Sequence, residues 1–199
     1  MNTLFPHAHG FSLYEYLLII EPTERAQKEI QAFKRYFIKN YPYRNAIVSK
    51  AHITLARFVQ YGSFESRIIQ RLQSLASHVA PFDIILDGFG TFGHTIFVDV
   101  VPSEPMAQLI NMHRQELRPL LGSRGTFASK PHITIARKLT PDQNNVVWPM
   151  WRRTLYRSSF RAKNITLLRR PAGTHGYALV KRFSFLGLPS FSTQGRLFA

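Results

Sequence analysis

Cysteine is absent from this 199-residue chain. Disulfides, thiolate catalysis and cysteine-bound zinc or iron–sulfur centres are therefore excluded. Acidic residues are few: 11 Asp and Glu stand against 26 Lys and Arg, a formal charge of +15. Long hydrophobic runs are missing too. The stretch Leu17-Leu18-Ile19-Ile20 is far too short to cross a bilayer. The residues before it, His7, His9 and Gly10 among them, show no basic start and no small-residue cleavage site. A cytoplasmic protein is the expectation.

Apolar residues make up 45% of the chain and aromatics 13%, enough to bury a core and too much for a disordered tail. The excess cations are spread along the sequence, with short clusters at Arg152-Arg153, Arg169-Arg170 and Lys181-Arg182. A folded surface this positive attracts phosphate polymers and releases their counterions. No segment reads as a basic amphipathic helix with a clean apolar face, so no membrane partner is expected. The charge points to RNA or a nucleotide and says nothing about chemistry.

A repeat says more. Residues 49–57 read Ser-Lys-Ala-His-Ile-Thr-Leu-Ala-Arg, and residues 129–137 read Ser-Lys-Pro-His-Ile-Thr-Ile-Ala-Arg. Seven of nine positions agree at an offset of 129 − 49 = 80. Two related halves are implied, each too small to bury a good core alone.

The surrounding pattern supports an α+β fold. Tyr14 to Ile20 reads as a buried strand, and Thr23 opens a helix to about Asn40 with Ala26, Ile30, Phe33 and Phe37 on one face. Strands are predicted from about Ala46 to Phe58, Phe82 to Leu86, Thr95 to Val101, Lys130 to Leu139, Phe160 to Leu168 and His175 to Leu186. Helices are predicted over Phe64 to Ser77, Ser103 to about Leu117, and from Thr140-Pro141-Asp142 to near Arg153. Gly88 to Gly93 reads as a turn between strands. No linker divides the chain. The expectation is one domain over 1–199, a bilobal pseudo-twofold arrangement of two antiparallel sheets with flanking helices around a central cleft.

Side chains alternate across a strand. Counting by two places Lys50, His52, Thr54 and Ala56 on one face, and Lys130, His132, Thr134 and Ala136 on its counterpart. Two imidazoles facing each other suit phosphoryl chemistry. One takes a proton from the attacking group while the other gives one to the leaving oxygen. An ordinary pKa of about 6.5 lets both roles be filled near neutrality. The Thr hydroxyls can hold non-bridging phosphate oxygens, and Lys50 and Lys130 can neutralise charge developing there. Arg57 and Arg137 fall on the back face if the strands run without a bulge, with reach to phosphate from the strand ends. Phe58, Phe92, Phe127 and Tyr177 are candidates for stacking a base. His7 and His9 could hold a metal, although a mobile terminus is the commoner meaning of such a pair. No metal site and no cofactor is expected, and the Gly-rich segment does not match a P-loop.

The paired motifs His52-Ile53-Thr54-Leu55 and His132-Ile133-Thr134-Ile135 resemble the signature of the 2H phosphoesterase superfamily, closest to its 2′-5′ RNA ligase and RNA 2′,3′-cyclic phosphodiesterase branch. The likeness extends to Asp87-Gly88-Phe89-Gly90-Thr91-Phe92, to Pro131, and to the closing Ile165 to Arg170 and Tyr177 segments. It implies hydrolysis of a 2′,3′-cyclic phosphate, commonly to a 2′-phosphate, or cleavage or joining of 2′-5′ linkages, without a metal. It implies His52 as proton donor, His132 as proton acceptor, and Thr54 and Thr134 as phosphate holders. Outside that enzyme class, the alternative is an RNA-binding module whose His and Thr pairs only grip phosphate. A monomer is expected.

Overall fold

Strands form where β-branched and aromatic residues alternate or run together, and helices where apolar residues recur every three to four positions. The structure, a computed structural model, describes residues 12–43, 49–122 and 125–189. It opens with strand β1 (Leu13–Ile20), helix α1 (Glu24–Asn40) and strand β2 (Ile53–Tyr61). A 3₁₀ turn at Gly62–Phe64 leads into helix α2 (Glu65–His78) and then strands β3 (Phe82–Thr91) and β4 (Thr95–Val100). Helix α3 (Glu104–Leu121), strands β5 (Gly125–Phe127) and β6 (His132–Arg137), and helix α4 (Pro141–Trp151) follow. Strands β7 (Arg157–Ala162), β8 (Asn164–Pro171) and β9 (Ala178–Ser184) close the fold.

The strands join in one antiparallel network ordered β7-β3-β4-β6-β2-β1-β8-β9, with β5 beside β2. The two expected sheets are its two arms, β7-β3-β4-β6 and β2-β1-β8-β9. They meet at a seam where Ile53 pairs with Ile133. Strands β7 and β8 stand far apart in this order, yet Lys163 alone separates them. One residue spans less than about 4 Å, so the arms curl until those strand ends touch. The Phe82 and Phe185 rings, 6.0 Å apart and stacked, hold that end together.

Helices pack on one side of both arms and enclose the core. Ile30 and Phe37 of α1, Ile68 and Leu72 of α2, Leu109 and Leu117 of α3 and Val147 and Trp151 of α4 are buried against Tyr16, Leu18, Ile53, Phe58, Val98 and Ile133. Helix α4 begins where expected because Thr140 and Gln143 form a reciprocal cap, each side chain accepting from the other's backbone N–H. Thr23 occupies the cap position of α1 without a side-chain cap bond.

Several predicted boundaries move. Strand β2 starts at Ile53, not Ala46, and residues 44–48 lie outside the described residues, as do His7 and His9. Strand β3 runs through most of the expected glycine turn, because Gly90 pairs with Phe97 inside the ladder. Helix α3 continues to Leu121. The predicted strand Phe160 to Leu168 is two strands in different arms. Arg157–Ala162 alternates exposed and buried residues as an edge strand does, whereas Ile165, Thr166 and Leu167 are buried in succession.

Candidate active site

The seam assembles the repeated motifs. Antiparallel pairing about Ile53 and Ile133 sets His52 opposite Thr134 and Thr54 opposite His132. All four side chains are half-buried on the side away from Ile53 and Ile133, which are fully buried. The structure therefore brings the four residues singled out by the repeat to one place.

Each imidazole is held alike. His52 Nδ1 lies 2.8 Å from the Lys50 carbonyl oxygen, and His132 Nδ1 lies 2.8 Å from that of Lys130. A carbonyl only accepts, so Nδ1–H donates in both rings and leaves Nε2 as the working nitrogen.

The surroundings of the two rings differ. Burial lowers the pKa of His52, with Lys34, Arg137 and His132 adding in the same direction against the Lys50 carbonyl. Burial also lowers that of His132, but there the Lys130 carbonyl and Asp99 pull upward. Asp99 sits opposite His132 in the β4–β6 ladder. Lys34, fully buried on α1, donates to the Ser49 carbonyl, and its own pKa is pushed down to about 8 by burial. Phe97 and Phe92 pack on His132, with ring centres 4.9 and 5.1 Å away. Phe97 lies over Gly90, where a Cβ would come within 2.3 Å of the ring.

A bulge in each arm corrects the expected faces. Leu18 pairs with Ala56 and Ile19 with Thr54, so Leu55 is an extra residue in β2. Ile96 pairs with Ala136 and Phe97 with Thr134, so Ile135 is its counterpart in β6. A bulge shifts the alternation by one. Ala56 and Ala136 consequently turn into the core. Arg57 and Arg137 turn onto the face that carries the histidines, not the back.

Lys50 and Lys130 are each tied to a carboxylate, Glu21 at 3.0 Å and Asp99 at 3.2 Å. Arg57 is ion-paired with Glu15, which also accepts from Arg170 and from the Tyr177 hydroxyl at 2.6 Å. Among the described residues, the Arg137 side chain has no hydrogen bond or ion pair, and its charge bears on His52. Phe58 is core. Phe127 pairs with Ala56 on the core side. Of the four stacking candidates, Phe92, 43% exposed, borders a histidine of the site. Glu15, Glu21, Lys34, Asp99 and Phe97 escaped the sequence reading. The ladder register relates two of them, since Glu21 and Asp99 each stand two residues beyond Ile19 and Phe97, the partners of Thr54 and Thr134.

Residues 22–174 match the model of the 2′-5′ RNA ligase superfamily, and the chain belongs to that family of 2H phosphoesterases. A presumed phosphoesterase of Bacillus licheniformis is 23% identical over 134 residues, covering 67% of this chain and 76% of its own. TT0787 of Thermus thermophilus superposes with a TM-score of 0.69 at 21% identity, over 87% of this chain and 98% of that one. E. coli LigT, crystallised with NADP+, gives 0.63 at 20% identity over 87% and 99%. LigT has also been crystallised with 3′-AMP. These structural likenesses are of fold. Among the described residues no helix is long and apolar enough to cross a membrane.

Proposed function

We propose that the protein is a metal-independent cyclic phosphodiesterase that opens 2′,3′-cyclic phosphate ends of RNA or nucleotides, using His52 and His132 as general acid and base. The observation carrying this reading is the pair of imidazoles, one from each arm, with Nδ1 occupied and, among the described residues, Nε2 without a hydrogen bond, each set opposite a threonine. Membership of a phosphoesterase family supports it.

In the proposed step the phosphate sits between Thr54 and Thr134, whose hydroxyls donate to its non-bridging oxygens. Arg137, paired with no carboxylate among the described residues, supplies the positive charge, with Lys50 and Lys130 at the rim. Water attacks phosphorus as His132 Nε2 takes its proton. The bond from phosphorus to O3′ breaks, O3′ takes the proton from His52, and a 2′-phosphate is left. Phe92 offers a face for the base. Burial, Lys34 and Arg137 all work against a proton on His52, and a bound phosphate anion would offset the two cations. Asp99 beside His132 favours that ring as the protonated one, which is a second reading for the donor.

The test is a product assay in EDTA on an oligoribonucleotide ending in a 2′,3′-cyclic phosphate. Formation of a 2′-phosphate, and losses above ~100-fold in His52→Ala and in His132→Ala, are expected. Tight salt-dependent RNA binding with no product would leave a binding module instead. A 2′-5′ joined product from cyclic and 5′-hydroxyl ends would show the ligase direction. A p-nitrophenyl phosphodiester needs no proton on its leaving group. The variant of the donor histidine therefore recovers on it and identifies the donor.

A further inference from the structure

The face that carries the histidines continues along the first arm in three rows. The row nearest the seam holds Thr54, Ile19, Thr166 and Arg182, paired in register. The next holds Leu17, Leu168 and Leu179, with Arg57 opposite Leu17. Leu179 is half exposed there, an apolar residue facing outward beside the site. The third row holds Glu15 and Arg170, with Tyr177 beside them.

Glu15 is the centre of that third row. It is 6% exposed, and its two oxygens accept from Arg57, from Nε and Nη2 of Arg170 at 3.0 and 2.6 Å, and from the Tyr177 hydroxyl. Arg170 lies over the Tyr177 ring, 4.6 Å from its centre. One carboxylate thus fixes two guanidiniums and a phenol and leaves a net charge of +1. The Arg57 side chain remains 54% exposed, with Nη groups beyond the Nε that bonds Glu15. Arg170 already pairs Glu15 through two nitrogens, and a second guanidinium fixed at Nε is suited to an incoming phosphate through its Nη groups.

The second arm has no such cluster among the described residues. The position matching Glu15 is Gly93, counted from the equivalence of Leu17 with Thr95, and Arg137 is left unpaired among the described residues. The two arms share the reacting centre and differ in what lies beyond it.

Building on the cyclic phosphodiesterase reading, we propose that Arg57, held at Nε by a Glu15 carboxylate that Arg170 and Tyr177 fix in place, forms a second anion site that takes the phosphodiester adjacent to the reacting phosphate. Arg57 stands three residues from Thr54 along β2, roughly 7–10 Å by the rise of an extended strand shortened by a bulge. That is about one nucleotide step. Leu168 and Leu179, in the same row as Arg57, offer an apolar surface to the intervening sugar. The substrate class is then an oligonucleotide that leaves the cleft along β1, β8 and β9.

The experiment compares kcat/KM for a nucleoside 2′,3′-cyclic phosphate with that for a dinucleotide ending in the same group, using the full chain. The dinucleotide is expected to be favoured at least tenfold, and Arg57→Ala to cut that ratio several-fold. Arg57→Lys keeps the ion pair with Glu15 but not the planar fork, and lowers the ratio part of the way. Loss of fold strikes both substrates alike, so an unchanged ratio in Arg57→Ala overturns the proposal, as does a wild-type ratio near one. Binding of an oligoribonucleotide ending in a 3′-phosphate gives a readout without turnover. The slope of log Kd against log salt is expected to fall by about 0.7 in Arg57→Ala. A reduced slope without turnover of either cyclic substrate would sink the phosphodiesterase reading and keep the anion site. Turnover of both with an unaltered slope would do the reverse.

Discussion

Ile53 and Ile133 pair across the seam between the arms, and the residues on either side of each form the candidate site. The pair is fully buried, so His52, Thr54, His132 and Thr134 point to the opposite face of the strands. The seam thus serves the core on one side and, in the proposed function, phosphate chemistry on the other.

The pH dependence follows from the shifts of the two rings. Burial lowers both histidines from about 6.5. Each therefore stays neutral to a lower pH than an exposed ring. The form with one ring neutral and one protonated peaks between two values that both lie below about 6.5. The profile of kcat/KM is expected to be a bell centred on the acid side of that value. A maximum above pH 7.5 would contradict it.

Lys34 imposes a cost on folding and on the charge of His52. Folded, it gives up its proton near pH 8, whereas unfolded it holds the proton to about 10.4. Between those values the unfolded chain binds more protons, so stability rises with pH across that window. Lys34→Met is expected to abolish that rise in denaturation midpoints measured from pH 7 to 10. It is also expected to move the His52 resonance titration upward, since a cation acting on that ring is gone. A His52 titration that does not move would remove Lys34 from the site.

Gly90 sets the height of the Phe97 ring and so the support of His132. A Cβ there would stand 2.3 Å and 2.4 Å from two ring carbons. Gly90→Ala is expected to destabilise the fold by roughly 1–3 kcal/mol. It should also lower kcat by displacing the aromatic support of His132. A thermal melt and single-turnover rates check both, and an unchanged melt would show that the ring moves freely.

The sequence alone determined the class of the fold, the four His and Thr residues and their convergence. A repeated His-Ile-Thr with period-two alternation leaves little freedom once Ile53 and Ile133 must be buried. Capping chemistry likewise placed the start of α4, because Thr140 and Gln143 act locally. Strand breaks were less legible. Nothing between Ala162 and Asn164 marks a change of arm, which depends on which edge each segment finds.

Only the tertiary structure decided the rest. The faces taken by Arg57 and Arg137 depend on bulges at Leu55 and Ile135, and a bulge is defined by the partner strand, not by its own residues. The same holds for Glu15, Glu21, Asp99 and Lys34. Their partners are 15 to 162 residues distant in the chain, and burial and charge act through space, so no local pattern could report them.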